Sequence, residues 1–399
     1  MENKSKKIKV FVGLSGGVDS SVSAALLKEQ GYDVTGVFIK VWQPDFFECA
    51  WRQDRLDAMR VCAKLDIPFF TLNLEDEYKK EVVDYMINEY KAGRTPNPDV
   101  MCNKYVKFGG FFNWAIAQGA DFVATGHYAQ VRAMEISRGG ASVATAAPPR
   151  GIRAIGNQGL SLRRSRATGE GESLVYKYEL LAGTDANKDQ SYFLWTLTQE
   201  QLSKILFPVG NIEKPQVRKL AEKFGLATAI KKDSQGLCFI GKIDMKDFLK
   251  NYIEEKKGDV LNEKGDVIGT HDGAFFLTIG QRHGFTITEK TPNDLPYYII
   301  TKNIGENTIT VSQDAKKIIE SDAKIITLRN INWTLGEHPD LSKTYAARIR
   351  YRAPLEECKI KKMGNTFELH FINVQKAVTP GQSAVLYDGE ICLGGGIIC

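Results

Sequence analysis

The sequence lacks any apolar run near the ~20 residues that a membrane-spanning helix requires. Its opening, MENKSKKIKV, carries lysines but not the hydrophobic stretch of a secretion signal. A cytoplasmic protein with no membrane partner is therefore expected. The sequence also lacks a C-x-x-C pair: its seven cysteines stand at 49, 62, 102, 238, 358, 392 and 399. So odd and scattered a set encodes neither a disulfide framework nor a zinc ribbon, and no metal site is expected from it. A working cysteine here is expected to be a reactive thiol. One stretch, residues 138–166, holds six arginines (138, 150, 153, 163, 164 and 166) and no acidic residue. The whole chain has 53 basic and 48 acidic residues, net +5, and without those six arginines the balance is 47 against 48. Net charge is thus no evidence that the folded body binds nucleic acid.

What is present is ordinary for a folded chain. Of 399 residues, 43% are hydrophobic and 25% charged, which excludes a disordered or fibrous class. At ~150 residues per domain, two or three domains are expected. Residues 8–14, 34–41, 69–74 and 122–125 are short apolar runs that read as strands. Between them, Val22, Ala25 and Leu26 form one helical stripe closed by Gly31, and Leu56, Met59 and Ala63 form another before Pro68. This alternation predicts an α/β fold with a parallel sheet covered by helices, and ligands in such sheets bind at the carboxyl ends of the strands. Residues 134–173 break the pattern and read as a flexible insertion rich in Gly, Ala, Ser and Arg. Residues 198–206 and 215–224 look helical. From about 297 onward, short strands and turns predict a β-barrel-like terminal domain. The expected division is 1–207 for the nucleotide-binding domain, 208–296 for a small central domain and 297–399 for the terminal one.

The segment Gly13-Leu14-Ser15-Gly16-Gly17-Val18-Asp19-Ser20-Ser21 lies between a predicted strand and a predicted helix, where backbone N–H groups and the helix dipole attract phosphate. It has no lysine, which separates it from a Walker A loop. It resembles the SGGxDS pyrophosphate loop (PP-loop) of the ATP pyrophosphatases, enzymes that form an adenylated intermediate, so ATP is the expected nucleotide. Asp19 is expected to help position Mg²⁺ together with phosphate oxygens.

Two cysteines stand in polar, lysine-flanked settings. Cys102 follows Thr95-Pro-Asn-Pro-Asp99 and precedes Lys104 and Lys107, with a helix expected to begin nearby. Such a thiol is expected to have a lowered pKa, and Asp99 places a carboxylate within reach for acid/base work. Cys238 sits in KKDSQGLCFIG. Each cysteine taken alone reads equally well as a buried small hydrophobe. That is the expected role of Cys62, Cys358, Cys392 and Cys399, while Cys49 is unassigned.

SGGVDSS, TPNPDVMCNKYVKFGGF, GHYAQ, NKDQSYFL, KKDSQGLCFIG, RIRYR and PGQSAVLY together resemble the tRNA-specific 2-thiouridylases of the bacterial MnmA type. The resemblance covers the chain apart from the arginine-rich insertion. It implies ATP-dependent sulfuration at C2 of the wobble uridine (U34) of tRNA, with lysine, glutamate and glutamine acceptors and a cysteine desulfurase or sulfur-relay protein as partners. It implies a persulfide on Cys238, Cys102 as nucleophile, a Cys102–Cys238 disulfide after transfer, and Asp99 as acid/base group, with hydrosulfide release before attack as a variant of direct persulfide attack. Asn97, Pro98 and Asp99 would line the pocket for the target base, which must leave the anticodon stack to be reached. ATP contacts carry over to Gly13 through Ser20, to Ile39, where the family commonly has methionine, and to Gly126. tRNA contacts carry over to His127, Lys188, Asp189, Gln190, Arg350, Tyr351 and Gln382, and the central domain is expected to bind tRNA. Strand alternation is expected to place Arg348, Arg350 and Arg352 on one face for phosphates. The chain departs from the family at Gln130, where arginine is usual, and in the insertion, which is expected to be dispensable and to add nonspecific RNA affinity. The competing readings are an amide-forming PP-loop synthetase, an iron–sulfur thiolase, for which grouped cysteines are lacking, and a noncatalytic RNA-binding protein.

Overall fold

The computed structural model describes residues 7–46, 51–136, 144–145, 175–232, 238, 245–288, 295–314, 323–376 and 378–399. Cys49 and most of the arginine-rich insertion lie outside the described residues. Among the described residues, no helix is long and apolar enough to cross a membrane.

The first sheet has five parallel strands in the order Phe69–Asn73, Asp33–Lys40, Lys9–Leu14, Phe122–Ala124, Ile205–Leu206. The central strand is apolar on both faces because helices cover both, which is why it reads as a continuous run and not an alternation. Helix Val18–Glu29 follows it at once and is buried along most of its length. The chain then leaves the central strand on one side to Asp33–Lys40 and later returns on the other to Phe122–Ala124. The ends of the central strand and of Phe122–Ala124 therefore flank the point where strand order reverses, the usual ligand crevice of such sheets. The expected helix over 198–206 is shorter: a capping box of Thr198 and Gln201 starts one turn, Gln199–Leu202, and Ile205–Leu206 then pairs with Phe122–Ala124 as the fifth strand.

A second sheet runs Phe285–Ile287, Val267–His271, Gly258–Leu261, Thr308–Ser312, Tyr298–Asn303. It takes in two strands beyond residue 297, because Ile309 and Thr310 pair with Val260 and Leu261. The third sheet begins with Ala323–Trp333, which pairs with both Thr366–Gln375 and Ile391–Ile398. Through Glu356–Met363, Thr344–Arg348 and Ser383–Asp388 this closes a barrel. A hairpin from the first part of the chain, Ala129–Ile136 with Val175–Ala182, extends this sheet where Ile391 and Cys392 pair with Leu181 and Leu180. The strands that border the insertion are thus part of the barrel's sheet, and regular pairing continues through Met134.

The barrel is fastened to the parallel-sheet unit by buried polar contacts. The Tyr192 hydroxyl donates to the Ser383 carbonyl at 2.8 Å, and the Trp195 indole N–H donates to the Ser383 hydroxyl at 3.1 Å. Glu89, 7% exposed, accepts from Arg94 at 2.6 Å and from Arg329 of the barrel at 3.0 Å. Paired in this way, the carboxylate sits below its ordinary pKa, chiefly through the Arg94 hydrogen bond.

Candidate active site

One long helical stretch carries the first half of the thiol site. The side chain of Asn97 caps it by accepting from the Val100 N–H, and Pro98 occupies the first turn, where a missing N–H does no harm. An α-helical turn, Pro98–Met101, passes into wider i→i+5 winding over Cys102–Phe111 and returns to α-helix over Phe112–Ala117. The wide segment matters for placement. Five residues of ordinary α-helix rotate a side chain about 140° away from its starting direction, whereas i→i+5 winding returns Lys107 to the side of Cys102.

Cys238 meets this helix. Its backbone N–H donates to Asp99 Oδ1 at 3.2 Å, and its carbonyl accepts from the Tyr78 hydroxyl at 2.8 Å. The two sulfurs share a hydrogen bond, and Lys107 reaches the Cys238 sulfur as well. Two cysteines remote in sequence thus converge beside one carboxyl and one ammonium group.

The electrostatics divide the pair unequally. Cys238 is lowered to about 7, chiefly because Cys102 donates a hydrogen bond to it; burial opposes this and the charge of Lys107 reinforces it. Cys102 is 0% exposed and is pushed well above the ordinary thiol range, first by burial and then by its role as donor to Cys238. The expected lowered pKa at Cys102 is therefore corrected. Beyond its burial, it lies past the first helical turn, where the helix dipole no longer acts strongly. Burial also raises Asp99, against the pull of Lys107 and of the Cys238 N–H. Lys107 stays above its ordinary value although burial works the other way, because Cys238, Cys102 and Asp99 surround it.

His127 lies beneath Lys107. Its Nδ1 is 2.7 Å from Thr125 Oγ1 and its Nε2 is 3.3 Å from Lys107 Nζ. At 6% exposure, packed against Phe108 and Phe207, the imidazole is held well below its ordinary pKa by burial and by the neighbouring cation. In this structure it supports Lys107 from within.

The glycine loop lies at the reversal point of the parallel sheet. Gly16 has φ +72°, and a Cβ there would fall 2.3 Å from the Asp54 carbonyl oxygen. The Ser20 hydroxyl accepts from the Ser15 N–H at 3.2 Å, and the Ser21 hydroxyl donates to the Gly17 carbonyl at 2.7 Å. Gly17 caps helix Val18–Glu29 without any side-chain hydrogen bond, which leaves the helix N-terminus for a ligand's phosphate. Gly126 abuts the same turn, since a Cβ on it would lie 2.5 Å from the Ser20 nitrogen. Gly13 through Ser20 and Gly126 are thereby brought together, with Leu14 and Val18 offering backbone only because their side chains are buried. Ile39 is a buried core residue on the strand Asp33–Lys40, paired with Leu72 of the neighbouring strand.

Asp19 is engaged within the protein. Its carboxylate accepts from Lys214 Nζ at 2.7 and 2.8 Å and from the Tyr128 hydroxyl at 2.7 Å. No group of three or more metal-ligating side chains occurs among the described residues. The donor set does not fit a magnesium ion held by the protein.

Several expected RNA contacts are turned inward. Asn97, 8% exposed, is occupied as the helix cap and bonds the Tyr192 hydroxyl. Asp189, 4% exposed, accepts from the Gly183 and Ser191 N–H groups, and Gln190 accepts from the Tyr128 N–H at 2.9 Å. Gln382 donates to the carbonyls of Thr95 and Pro96 at 2.9 and 3.0 Å, bracing the approach to Cys102. The three arginines do not share one face, because the strand ends at Arg348 and Arg352 has φ +63°. Arg348 lies over the Tyr387 ring, Arg350 donates to the Thr379 hydroxyl at 3.2 Å, and Arg352 donates to the Asn187 carbonyl. Tyr351 packs on Phe193 with ring centroids 4.5 Å apart. Pro98 and Lys188 are half-exposed. Lys107, Tyr78, Thr125 and Lys214 are the participants that the sequence reading left unassigned. Lys107 alone had a signal, its nearness to Cys102 in sequence.

The comparisons agree with this layout. A family model described as the tRNA methyl transferase HUP domain matches residues 8–150 and 163–242, the tRNA methyl transferase PRC-barrel domain matches 246–313, and the aminomethyltransferase beta-barrel domain matches 323–398. The tRNA-specific 2-thiouridylase MnmA of Halalkalibacterium halodurans is 42% identical, over 98% of this chain and 95% of its own. The protein of the same name from Thiobacillus denitrificans is 42% identical over 98% of this chain and 99% of its own. With such identity along nearly its whole length, and a thiol pair set beside a PP-loop, the chain belongs to the tRNA-specific 2-thiouridylase family.

Proposed function

We propose that this protein uses ATP to replace O2 of the wobble uridine in tRNA with sulfur, giving 2-thiouridine at position 34. The observation that carries the reading is the meeting of Cys102 and Cys238 beside Asp99 and Lys107, in a protein whose parallel sheet ends in an SGGxDS loop. Uracil O2 is a poor leaving group. Coupling it to AMP with release of pyrophosphate makes C2 open to substitution, which accounts for a nucleotide loop and a sulfur site in one molecule. Gly13 through Ser20 and Gly126 would hold the phosphates by backbone N–H groups and serine hydroxyls. Magnesium would enter on the phosphates of ATP, since Asp19 is engaged by Lys214 and Tyr128.

The division of charge suits the sulfur steps. Cys238 is the more accessible thiol and the ionised one, so it takes sulfane sulfur from a desulfurase or relay protein and becomes Cys238–S–SH. The terminal sulfur attacks C2 and AMP departs, leaving the base joined to Cys238 through a disulfide bond. Cys102, once deprotonated, attacks Cys238 Sγ, which forms a Cys102–Cys238 disulfide and releases 2-thiouridine. Asp99, with its raised pKa, is placed to take and return protons. The sulfane sulfur gains the two electrons that the cysteine pair loses, and an external dithiol restores the pair. Lysine, glutamate and glutamine tRNAs are the proposed acceptors, met by Lys188, Arg350, Tyr351 and the sheet over 258–312, in the cytoplasm.

The test is direct. Purified protein, ATP, magnesium, unmodified tRNA and a cysteine desulfurase should yield 2-thiouridine in a nucleoside digest read by mass. Cys102→Ser and Cys238→Ser should each abolish it. An amide-forming synthetase would tolerate both changes, so unchanged yield in either variant would refute that cysteine's role.

A further inference from the structure

The thiol site contains a cation that the sequence shows only as a near neighbour of Cys102. Lys107 projects from the widened helical segment into a pocket where its neighbours are the Cys102 and Cys238 sulfurs, Asp99 and His127. An ammonium group taken out of water is retained only where anions and acceptors replace the lost hydration. His127 supplies one acceptor. Because an ammonium can only donate, the 3.3 Å contact makes Nε2 the acceptor and puts the imidazole proton on Nδ1, directed at Thr125 Oγ1 at 2.7 Å. Thr125 directly follows the strand Phe122–Ala124 and precedes Gly126, which touches the glycine loop. A continuous set of contacts therefore runs from the nucleotide crevice through Thr125 and His127 to Lys107. Among the described residues, Tyr78 also faces Cys102, Cys238 and Asp99; burial raises its pKa, and it donates to the Cys238 carbonyl. Among the described residues, Lys107 is thus the cation that faces the pair, and Asp99 is the carboxyl beside it.

We propose that Lys107 is a catalytic residue that holds the negative charge of the thiol pair on Cys238, and that His127 is the positioning residue that fastens Lys107 there. The use of that charge rests on the thiolation reading; its existence does not. The proposal makes His127 an internal brace that links the nucleotide loop to the sulfur chemistry.

The experiment is the pH dependence of Cys238 alkylation by iodoacetamide in the full chain, with the labelled cysteine identified by peptide mass. In the wild type, half-maximal reactivity should fall at about pH 7. Lys107→Met should raise that midpoint by about one pH unit or more and slow labelling at pH 7 about fivefold or more, while Lys107→Arg keeps the midpoint near that of the wild type. His127→Ala should give a smaller rise, reversed in His127→Gln, whose amide oxygen can accept from Lys107. An unchanged midpoint in a natively folded Lys107→Met protein, checked by circular dichroism, would overturn the proposal. If Lys107→Met does not fold, an unchanged midpoint in His127→Ala overturns it instead. Neither tRNA nor ATP enters the measurement, so its failure leaves the thiolation reading intact. Failure of the wild type to form 2-thiouridine would sink that reading without touching the titration.

Discussion

Replacing Gly126 by alanine tests whether the strand end and the glycine loop form one nucleotide site. The added Cβ would stand 2.5 Å from the Ser20 nitrogen, 2.8 Å from the Asp19 carbonyl carbon and 2.9 Å from the Ser20 Cα. All three are backbone atoms at the start of helix Val18–Glu29, so no side chain can swing aside to make room. Restoring ordinary contact requires the helix start to retreat by about 1 Å, at an overpacking cost of about 1–3 kcal/mol. A displacement of that size at a group that orients phosphate is expected to lower the reaction about a hundredfold. The assay is tRNA-dependent pyrophosphate release, paired with a thermal melt. Gly31→Ala is the control: its φ is +87° but nothing lies within 4 Å of the new Cβ. It should lose about 1 kcal/mol of stability to backbone strain and leave ATP use unchanged. A folded Gly126→Ala protein that releases pyrophosphate at the wild-type rate would refute the reasoning.

Three further outcomes are expected. Lys231, just before the segment that carries Cys238, bonds Asp54 and Asp57 at 2.7 Å each, and the Asp54 carbonyl abuts Gly16. Lys231→Met should reduce 2-thiouridine formation about fivefold, the equivalent of a half-exposed ion-pair network of about 1 kcal/mol, with less effect on pyrophosphate release. His127 is held neutral in the fold, so below pH 6.5 the unfolded chain binds a proton that the native one refuses, and stability falls as pH falls. Denaturant titrations of wild type and His127→Gln should diverge by about 1 kcal/mol between pH 6.5 and 5.5, with the variant flatter; parallel curves would contradict the neutral imidazole. Glu89→Gln removes the charge shared by Arg94 and Arg329 and should destabilise the protein by about 2 kcal/mol in urea unfolding.

Much of the architecture was legible because burial on two faces leaves a plain trace. The central strand and its neighbour Asp33–Lys40 are apolar almost throughout, and the glycine loop falls between strand and helix as its residues require. The parallel sheet, the loop and the terminal barrel were readable for that reason. Features set by tertiary context were not. A two-residue strand such as Ile205–Leu206 has no periodicity to detect, and the same residues satisfy a helical pattern equally well. RIRYR alternates like a strand, yet Arg352 takes a left-handed backbone that turns the chain and sends its three guanidinium groups to different partners. Asp189, Gln190 and Gln382 carry polar side chains suited to an RNA surface, but each is used to satisfy backbone groups inside the fold. Lys107 enters the thiol site only because the helix widens at Cys102, a change that helical spacing alone does not announce.

The unequal burial of the two thiols bears on the order of events. While Cys238 is a thiolate, the Cys102 proton is held on Cys102 by the hydrogen bond it donates and by the cost of a second negative charge in the same pocket. In the proposed reaction Cys102 would then be inert and would not divert incoming sulfur into an early disulfide. In the proposed cycle, persulfidation moves the charge from Cys238 Sγ to the outer sulfur, and once that sulfur is bonded to C2 the acceptor that kept Cys102 protonated is gone. The ammonium of Lys107 is left facing Cys102 and Asp99, so the thiolate form of Cys102 becomes the one that the cation stabilises. In that scheme it is transfer to C2, not loading alone, that arms the second cysteine. The bond it would then attack, between Cys238 Sγ and the transferred sulfur, is by that stage a disulfide to the base, so the proposed order of steps follows from a single positive charge shared by two sulfurs.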